Sequence, residues 1–452
     1  MNMKLRNLLS TLPRPSKSGV LLLILMAIGS YLRLHRLEFQ SLWIDELATM
    51  LESDPSNSIE QVLEYLRHGI DPHPPLYHLL VHFWFQLVGY NDYTARLISA
   101  LAGIATIPAM YVLGSELYHR RVGLICAAFT AFNYYNIFYS REARGYIFAF
   151  LFTSISFIFL IRALRNPSWK TGLWYGLATS LLVYTHYYGF FIVLSQLVIV
   201  LIFLTRRSLK TFLICFGTGF SLIFILYLPW IGPILTLAKR TSFWIEKPKA
   251  NFIVTFFWDY FGRDPFTVYA FAILVALFFL AGVLLQNREK EPVDIRENRY
   301  LFSFAVLLTW IFVSYMVPFV KSLVSLPLLW NRYTIVTLPA ILLAAAIGAD
   351  LIPHSFVKKY VVILIASFSL IHLFAYSRYY EKPAREQWRE MTGFVVKNNP
   401  RNFPIISDRK WQLSYYFRVF NASPQYVPEE ANSRAHRCVG TFRRQPWKAF
   451  IR

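Results

Sequence analysis

The chain has 452 residues, 56% of them hydrophobic and only 16% charged, a balance that a water-soluble domain of this size does not keep. Its formal charge of +21 does not point to a nucleic-acid partner, because the Lys and Arg residues stand in short runs between apolar stretches, where they set membrane topology. Of the three cysteines, Cys126 and Cys215 lie in apolar segments and Cys438 near the C-terminus, so no disulfide framework or paired metal site is written here.

These features describe an all-α polytopic membrane protein, since a helix needs about 17–25 apolar residues to cross the hydrocarbon and satisfies its backbone internally. The first apolar run, Val20 to Leu32, follows Lys4, Arg6, Arg14 and Lys17 and ends in Tyr31-Leu32-Arg33 without a small-residue cleavage site; it reads as an uncleaved anchor. About eleven spans are expected, at 19–34, 95–117, 122–139, 146–161, 171–184, 188–204, 211–232, 266–285, 300–320, 333–348 and 360–376. Those at 122–139 and 171–184 are short, and are read either as tilted spans or as re-entrant segments.

With the N-terminus inside, the inner connections are His119-Arg120-Arg121, Arg162 to Lys170, Arg206-Arg207 to Lys210, Gln286 to Arg299 and Ala349 to Lys359. Together with the N-terminal arm they hold more Lys and Arg than the outer connections do, in roughly half the length. The expected placement is therefore a plasma (inner) membrane, N-terminus cytoplasmic and C-terminus extracytoplasmic.

Two outer regions are long. Residues 35–94 hold a juxtamembrane helix, with Ser58 and Gln61 at capping-box spacing and Ile59, Val62, Leu63 and Leu66 on one apolar face that suits a membrane surface. Residues 377–452 form a polar, strongly basic tail, with Pro383 at a helix start, Trp388, Met391 and Val395 on one face, and an extended Phe403–Ser407 segment. The expected division is a transmembrane catalytic domain at 1–376 and an extracytoplasmic tail or small α/β domain at 377–452.

The string with most chemistry is Ser41-Leu42-Trp43-Ile44-Asp45-Glu46, just beyond the first span. Adjacent carboxylates at a membrane mouth can divide the work of general base and hydrogen-bond or metal partner, or can be two charges of an acidic loop that also holds Glu52, Asp54, Glu60, Glu64 and Asp71. Next, Asp71-Pro72-His73-Pro74-Pro75-Leu76-Tyr77 sets an extended path into an aromatic helix. His73 is suited to orienting a substrate, ligating a metal or making a structural hydrogen bond. His78 and His82 have helical i, i+4 spacing but lack the Glu of a zinc-protease helix, which argues against metal there.

The turn Tyr139-Ser140-Arg141-Glu142-Ala143-Arg144-Gly145-Tyr146 places arginines where the positive-inside rule does not want them. They hold an anionic head group, form an Arg141/Glu142 surface pair, or snorkel to the interface. Thr185-His186-Tyr187-Tyr188-Gly189 and Trp330-Asn331-Arg332-Tyr333 add further aromatic and polar groups, with Tyr187 and Tyr188 read as interface anchors. Under one topology Asp45, Glu46, His73, Arg144, His186 and Arg332 all fall on the outer side.

At these residues the chain resembles the glycosyltransferase C superfamily (GT-C), in particular bacterial relatives of the dolichyl-phosphate-mannose protein O-mannosyltransferases and of the aminoarabinose transferase that modifies lipid A. The likeness runs over most of 19–350: the acidic pair Asp45-Glu46, HPPLY at 73–77, Arg96 opening the second span, SREARGY at 140–146, THYYG at 185–189 and RY at 332–333. It implies a GT-C-like bundle that transfers a sugar from a polyprenyl-phosphate donor to an acceptor on the extracytoplasmic face.

By that resemblance Asp45 is the catalytic base and Glu46 the second candidate, Arg144 and Arg332 bind the donor phosphate, and His73, Tyr146, His186, Tyr333 and Arg96 position substrate or loop. A divalent metal cation, held by Glu46 and His73, is an optional cofactor. The acceptor is a lipid, a polysaccharide or a protein, and membrane lipids surround the whole. The tail departs from the sugar-binding repeats of eukaryotic mannosyltransferases. The rival from another class is a transporter or flippase of lipid-linked or anionic solutes, which would cluster its ionisable groups near the midplane, often within repeated halves. A non-catalytic scaffold would leave Asp45-Glu46 without a task.

Overall fold

A computed structural model describes residues 16–68, 73–204, 209–240, 244–288, 298–407 and 409–426. Asp71, Pro72, Arg206, Arg207, Cys438, the N-terminal Lys4, Arg6 and Arg14, most of the Gln286–Arg299 connection and the end of the tail lie outside them. The described residues are mostly helical, and the chain is a multi-pass membrane protein: among the described residues eight helical segments have the length and apolarity to cross a membrane. They are Lys17–Leu34, Asp92–Leu117, Tyr146–Arg165, Leu209–Ala238, Pro265–Leu285, Arg299–Val324, Tyr333–Asp350 and Ser355–Tyr376.

In chain order the helices are α1 (Lys17–Leu34), α2 (Ile44–Glu52), α3 (Ile59–His68), α4 (Leu76–Val88), α5 (Asp92–Leu117), α6 (Arg120–Phe132) and α7 (Tyr134–Ser140). Then come α8 (Tyr146–Arg165), α9 (Trp169–Val183), α10 (Gly189–Ile202), α11 (Leu209–Tyr227), α12 (Ile231–Ala238) and α13 (Phe252–Tyr260). The last are α14 (Pro265–Arg288), α15 (Arg299–Val324), α16 (Leu338–Asp350), α17 (Ser355–Ile371), α18 (Trp388–Asn398) and α19 (Lys410–Val419).

The chain falls into two compact units, one of residues 1–38 and 49–382, the other of residues 39–48 and 383–452. In the first unit α16 and α8 are the most buried of the long helices, whereas α17 has few buried residues, as a lipid-facing helix should. Polar side chains join three helices inside the bundle: Gln196 Nε2 donates to Ser156 Oγ at 2.7 Å, Tyr175 OH donates to Gln196 Oε1 at 3.0 Å, and Ser156 and Thr179 hydroxyls lie 2.7 Å apart. In an apolar solvent such bonds, with close packing, hold helices together where the hydrophobic effect does not. Phe157 stacks on Trp310 with ring planes 5° apart, and the indole N–H of Trp310 donates to the Val336 carbonyl at 3.2 Å.

Several expectations change at this level. The run 122–139 is two helices, broken at Asn133, whose side chain caps α7 by accepting from Asn136 N at 2.8 Å and donates to the Tyr260 carbonyl at 2.9 Å. The spans expected at 171–184 and 188–204 are α9 and α10, of 15 and 14 residues, shorter than a straight crossing needs. The Ser58/Gln61 box closes with bonds of 2.7 and 3.2 Å, but Val62 and Leu66 are buried in the protein itself, so this part of the apolar face of α3 packs on protein.

In the second unit the helix starts at Trp388 and not at Pro383, because its first turn follows the segment 383–387 that is tied to residues 40 and 44. The extended segment forms one parallel bridge, Ile405 to Tyr426.

Candidate active site

The acidic pair lies in the first turn of α2, where amides without helical partners and the helix dipole favour negative charge. The two carboxylates differ. Asp45 is half-buried, while Glu46 is fully buried and its Oε2 accepts from the Trp43 amide at 3.3 Å. Trp43 immediately precedes the helix, so Glu46 makes the return bond of a capping box.

In the other unit, His73 and two prolines lead into α4, and the Leu76 amide donates to the Tyr184 carbonyl at 3.0 Å, joining HPPLY to THYYG. Arg144 is buried; its Nη2 donates to His73 Nε2 at 2.6 Å and its Nη1 to Thr49 Oγ1 at 3.4 Å. Because a guanidinium only donates, His73 Nε2 accepts, and the neutral ring carries its proton on Nδ1. His73 stacks on His78, and His78 Nδ1 lies 3.3 Å from Glu52 Oε2 and 3.4 Å from Ser53 Oγ. His82 donates from Nδ1 to the Asp54 carbonyl at 3.1 Å and accepts from Gln86 at 2.9 Å. Its Nδ1 therefore ties α4 to the loop, while its Nε2 is taken by the next turn of the same helix.

Around Tyr146, the first residue of α8, four of the residues singled out from sequence gather. The Arg144 and Arg332 guanidinium carbons lie 6.0 and 5.8 Å from its ring centre, and the His186 and Tyr333 rings lie 5.9 and 6.3 Å away. These separations are in the range of cation–π and aromatic contact. His186 Nδ1 accepts from the Tyr188 amide at 3.0 Å, which puts the proton of the neutral ring on Nε2.

Tyr188 is no interface anchor: it is buried, 6.2 Å from both the His186 and Tyr333 rings. Trp244, which carries no motif, was not foreseen; its ring centre is 5.1 Å from the Arg332 guanidinium carbon. It stands far from Arg332 in the chain, and only the fold brings them together.

The other two arginines hold backbone. Arg141, buried and not a surface residue, donates to the carbonyls of Arg33, His35 and Arg36 at 3.2, 2.6 and 2.8 Å. Arg36 has φ +49°, a conformation costly for a side-chain-bearing residue, so Arg141 fixes the exit from α1. Burial first, then the charges of Arg141 and Arg36, hold the His35 imidazole below its ordinary pKa. Arg96, 1% exposed, donates to the Leu37 carbonyl at 3.3 Å.

The proposed metal ligands are both engaged otherwise: Glu46 Oε2 by the Trp43 amide and His73 Nε2 by Arg144. Among the described residues no three His, Cys, Asp or Glu side chains are grouped to hold a metal ion. No step below runs through a divalent cation.

Residues 72–231 match the model of the dolichyl-phosphate-mannose-protein mannosyltransferase family. No curated protein sequence matches the chain. Among solved structures the fold is similar to the Archaeoglobus fulgidus oligosaccharyltransferase in its apo form, with a TM-score of 0.57, 13% identity, and 92% of this chain and 65% of that one covered. The same archaeal protein, AglB, in complex with an inhibitory peptide and a dolichol-phosphate gives 0.55, 13%, 91% and 61%. ArnT from Cupriavidus metallidurans in the apo state gives 0.53, 12%, 89% and 68%. The chain thus spans less than two thirds of the archaeal protein's length. Its likeness to a mannosyltransferase family model over the segment that carries Arg144, Tyr146 and His186, and its helical architecture, together give this multi-pass membrane protein the fold of the glycosyltransferase C superfamily.

Proposed function

We propose that this protein is a membrane glycosyltransferase that moves a sugar from a polyprenyl-phosphate-linked donor to an acceptor hydroxyl on the extracytoplasmic face. The observation that carries the reading is the pair of arginines, Arg144 and Arg332, against one buried tyrosine ring at the start of a membrane helix. A lipid-linked donor lies with its tail in the bilayer and its phosphate at the interface, the depth at which such arginines are useful. A transporter of the same solutes would instead need its ionisable groups at the midplane.

In this reading Asp45 takes the proton from the acceptor hydroxyl, whose oxygen attacks the anomeric carbon from the face opposite the phosphate. The bond from that carbon to the phosphate oxygen breaks, and the polyprenyl phosphate leaves with the electron pair. Arg144 and Arg332 stabilise the growing negative charge, which makes a separate general acid unnecessary. The configuration at the anomeric carbon inverts. His186 and Tyr333 line the sugar, and His73 holds Arg144 in place by accepting a hydrogen bond from its guanidinium.

The test is transfer of radiolabelled sugar from a panel of polyprenyl-phosphate sugars to membrane extracts by purified protein in liposomes. Asp45→Asn is expected to abolish turnover while donor binding stays. Arg144→Ala and Arg332→Ala are expected to weaken donor binding as well as rate, by about 10-fold or more each, as for lost charge-assisted contacts. Wild-type turnover by Asp45→Asn sinks the base assignment, and unchanged donor affinity in both arginine variants sinks the phosphate site. Flipping or uptake without transfer supports the transporter.

A further inference from the structure

The ten residues that carry the acidic pair, 39–48, are part of the C-terminal unit, and that unit grips them at successive positions. Tyr416, wholly buried, accepts from the Leu42 amide at 2.8 Å. Arg389 donates from Nη2 to the Phe39 carbonyl at 2.9 Å, and its own amide donates to Ser41 Oγ at 3.0 Å. The Ala384 amide donates to Gln40 Oε1 at 2.9 Å, and the Arg385 guanidinium carbon lies 5.3 Å from the Trp43 ring centre. Glu386 Oε2 accepts from the Ile44 amide at 3.1 Å and from the Trp388 indole at 2.7 Å.

The Ile44 amide is the first of α2, one of the donors that a helix N-terminus leaves without an internal partner. Glu46 satisfies the Trp43 amide from within the helix; Glu386 satisfies the next from the far end of the chain. The start of α2, and with it the direction in which Asp45 leaves the helix, is therefore set by side chains of the tail. A base must sit within hydrogen-bond reach of the proton it takes, and a misplacement of about 1 Å costs on the order of 100-fold in rate.

We propose that the C-terminal unit is the fixture of the acidic segment, with Glu386, Arg389 and Tyr416 as positioning residues for Asp45; this rests on the reading of Asp45 as the base. The tail thus serves the chemical step and is not an acceptor-binding appendage. Tyr416→Phe removes one acceptor from Leu42 and leaves the ring. Glu386→Ala removes the cap from the exposed side chain, and Glu386→Gln keeps an oxygen that accepts from Ile44.

The experiment measures kcat, donor KM and acceptor KM for these three variants beside wild type and Asp45→Asn, with thermal unfolding in detergent as the folding control. Tyr416→Phe and Glu386→Ala are expected to lower kcat by about 10- to 100-fold with donor KM unchanged, and Glu386→Gln to recover most of the loss. If Tyr416→Phe fails to fold, the Glu386 pair decides alone, since that side chain is exposed. Wild-type kcat in both Tyr416→Phe and Glu386→Ala, with Asp45→Asn inactive, overturns the fixture. A raised acceptor KM at unchanged kcat also overturns it and makes the tail an acceptor site. Full turnover by Asp45→Asn is the separate failure, that of the base reading itself.

Discussion

Neighbouring residues of one type have different tasks here because their partners differ. Glu46, with no exposure and its Oε2 on the Trp43 amide, is placed to cap α2, whereas Asp45 is only half-buried. Glu46→Gln, which retains an oxygen for the amide, is expected to keep thermal stability near wild type and much of the turnover. Glu46→Ala is expected to lose on the order of 1 kcal/mol of stability, the usual cost of a lost helix cap. Thermal unfolding in detergent with parallel rate measurement checks both, and a Glu46→Gln protein that is stable yet as inactive as Asp45→Asn gives Glu46 a part in the chemistry. Arg141 and Arg144, three positions apart in one turn, divide in the same way. The sequence shows two arginines in an outer turn but not which one holds a chain end, because the carbonyls that Arg141 grips belong to residues 33, 35 and 36, about a hundred positions away.

Hydropathy finds helices by their apolar length, and the eight long ones stood out for that reason. It reads breaks and short helices poorly. Nothing in the apolar run 122–139 marks Asn133 as a break, since the group that completes its hydrogen bonding, the Tyr260 carbonyl at the end of α13, lies far along the chain. The short α9 is held by its polar bonds to α8 and α10 and by a close crossing with α11: a Cβ on Gly172 would collide with the Cys215 carbonyl, and one on Gly176 would approach the Gly219 carbonyl at 2.8 Å. Gly172 and Gly176 are four apart, so one face of α9 is bare, a small-xxx-small contact of the membrane kind. Gly172→Leu is expected to push α11 away and destabilise the protein by at least about 1–3 kcal/mol, the range for overpacking. Thermal unfolding in detergent measures it, and a Gly172→Leu protein as stable as wild type would show that this crossing is not tight.

For the molecule as a whole, the charged helix ends on the side proposed as cytoplasmic are tied to one another. Glu116 pairs with Arg162 at 2.8 Å and Arg165 at 3.4 Å, joining α5 to α8. Asp350 pairs with Lys358 at 2.8 Å and His119 at 3.1 Å, joining α16 to α17 and to the start of α6. Arg144, Arg332, His73 and His186 lie in connections assigned to the other side. Basic residues of the inner connections thus have a packing task besides their topological one, and a count of Lys and Arg alone cannot separate the two. The proposed orientation is tested without reference to activity. In a protein whose Cys438 is Ser, with Cys126 and Cys215 buried, Ser325→Cys and Asn166→Cys each place one thiol at an exposed position, in an outer and an inner connection respectively. A membrane-impermeant thiol reagent is expected to label Ser325→Cys in intact cells and Asn166→Cys only after the membrane is opened. The reverse pattern would put the arginine cluster on the cytoplasmic face, where the donor would have to be used before it crosses the membrane.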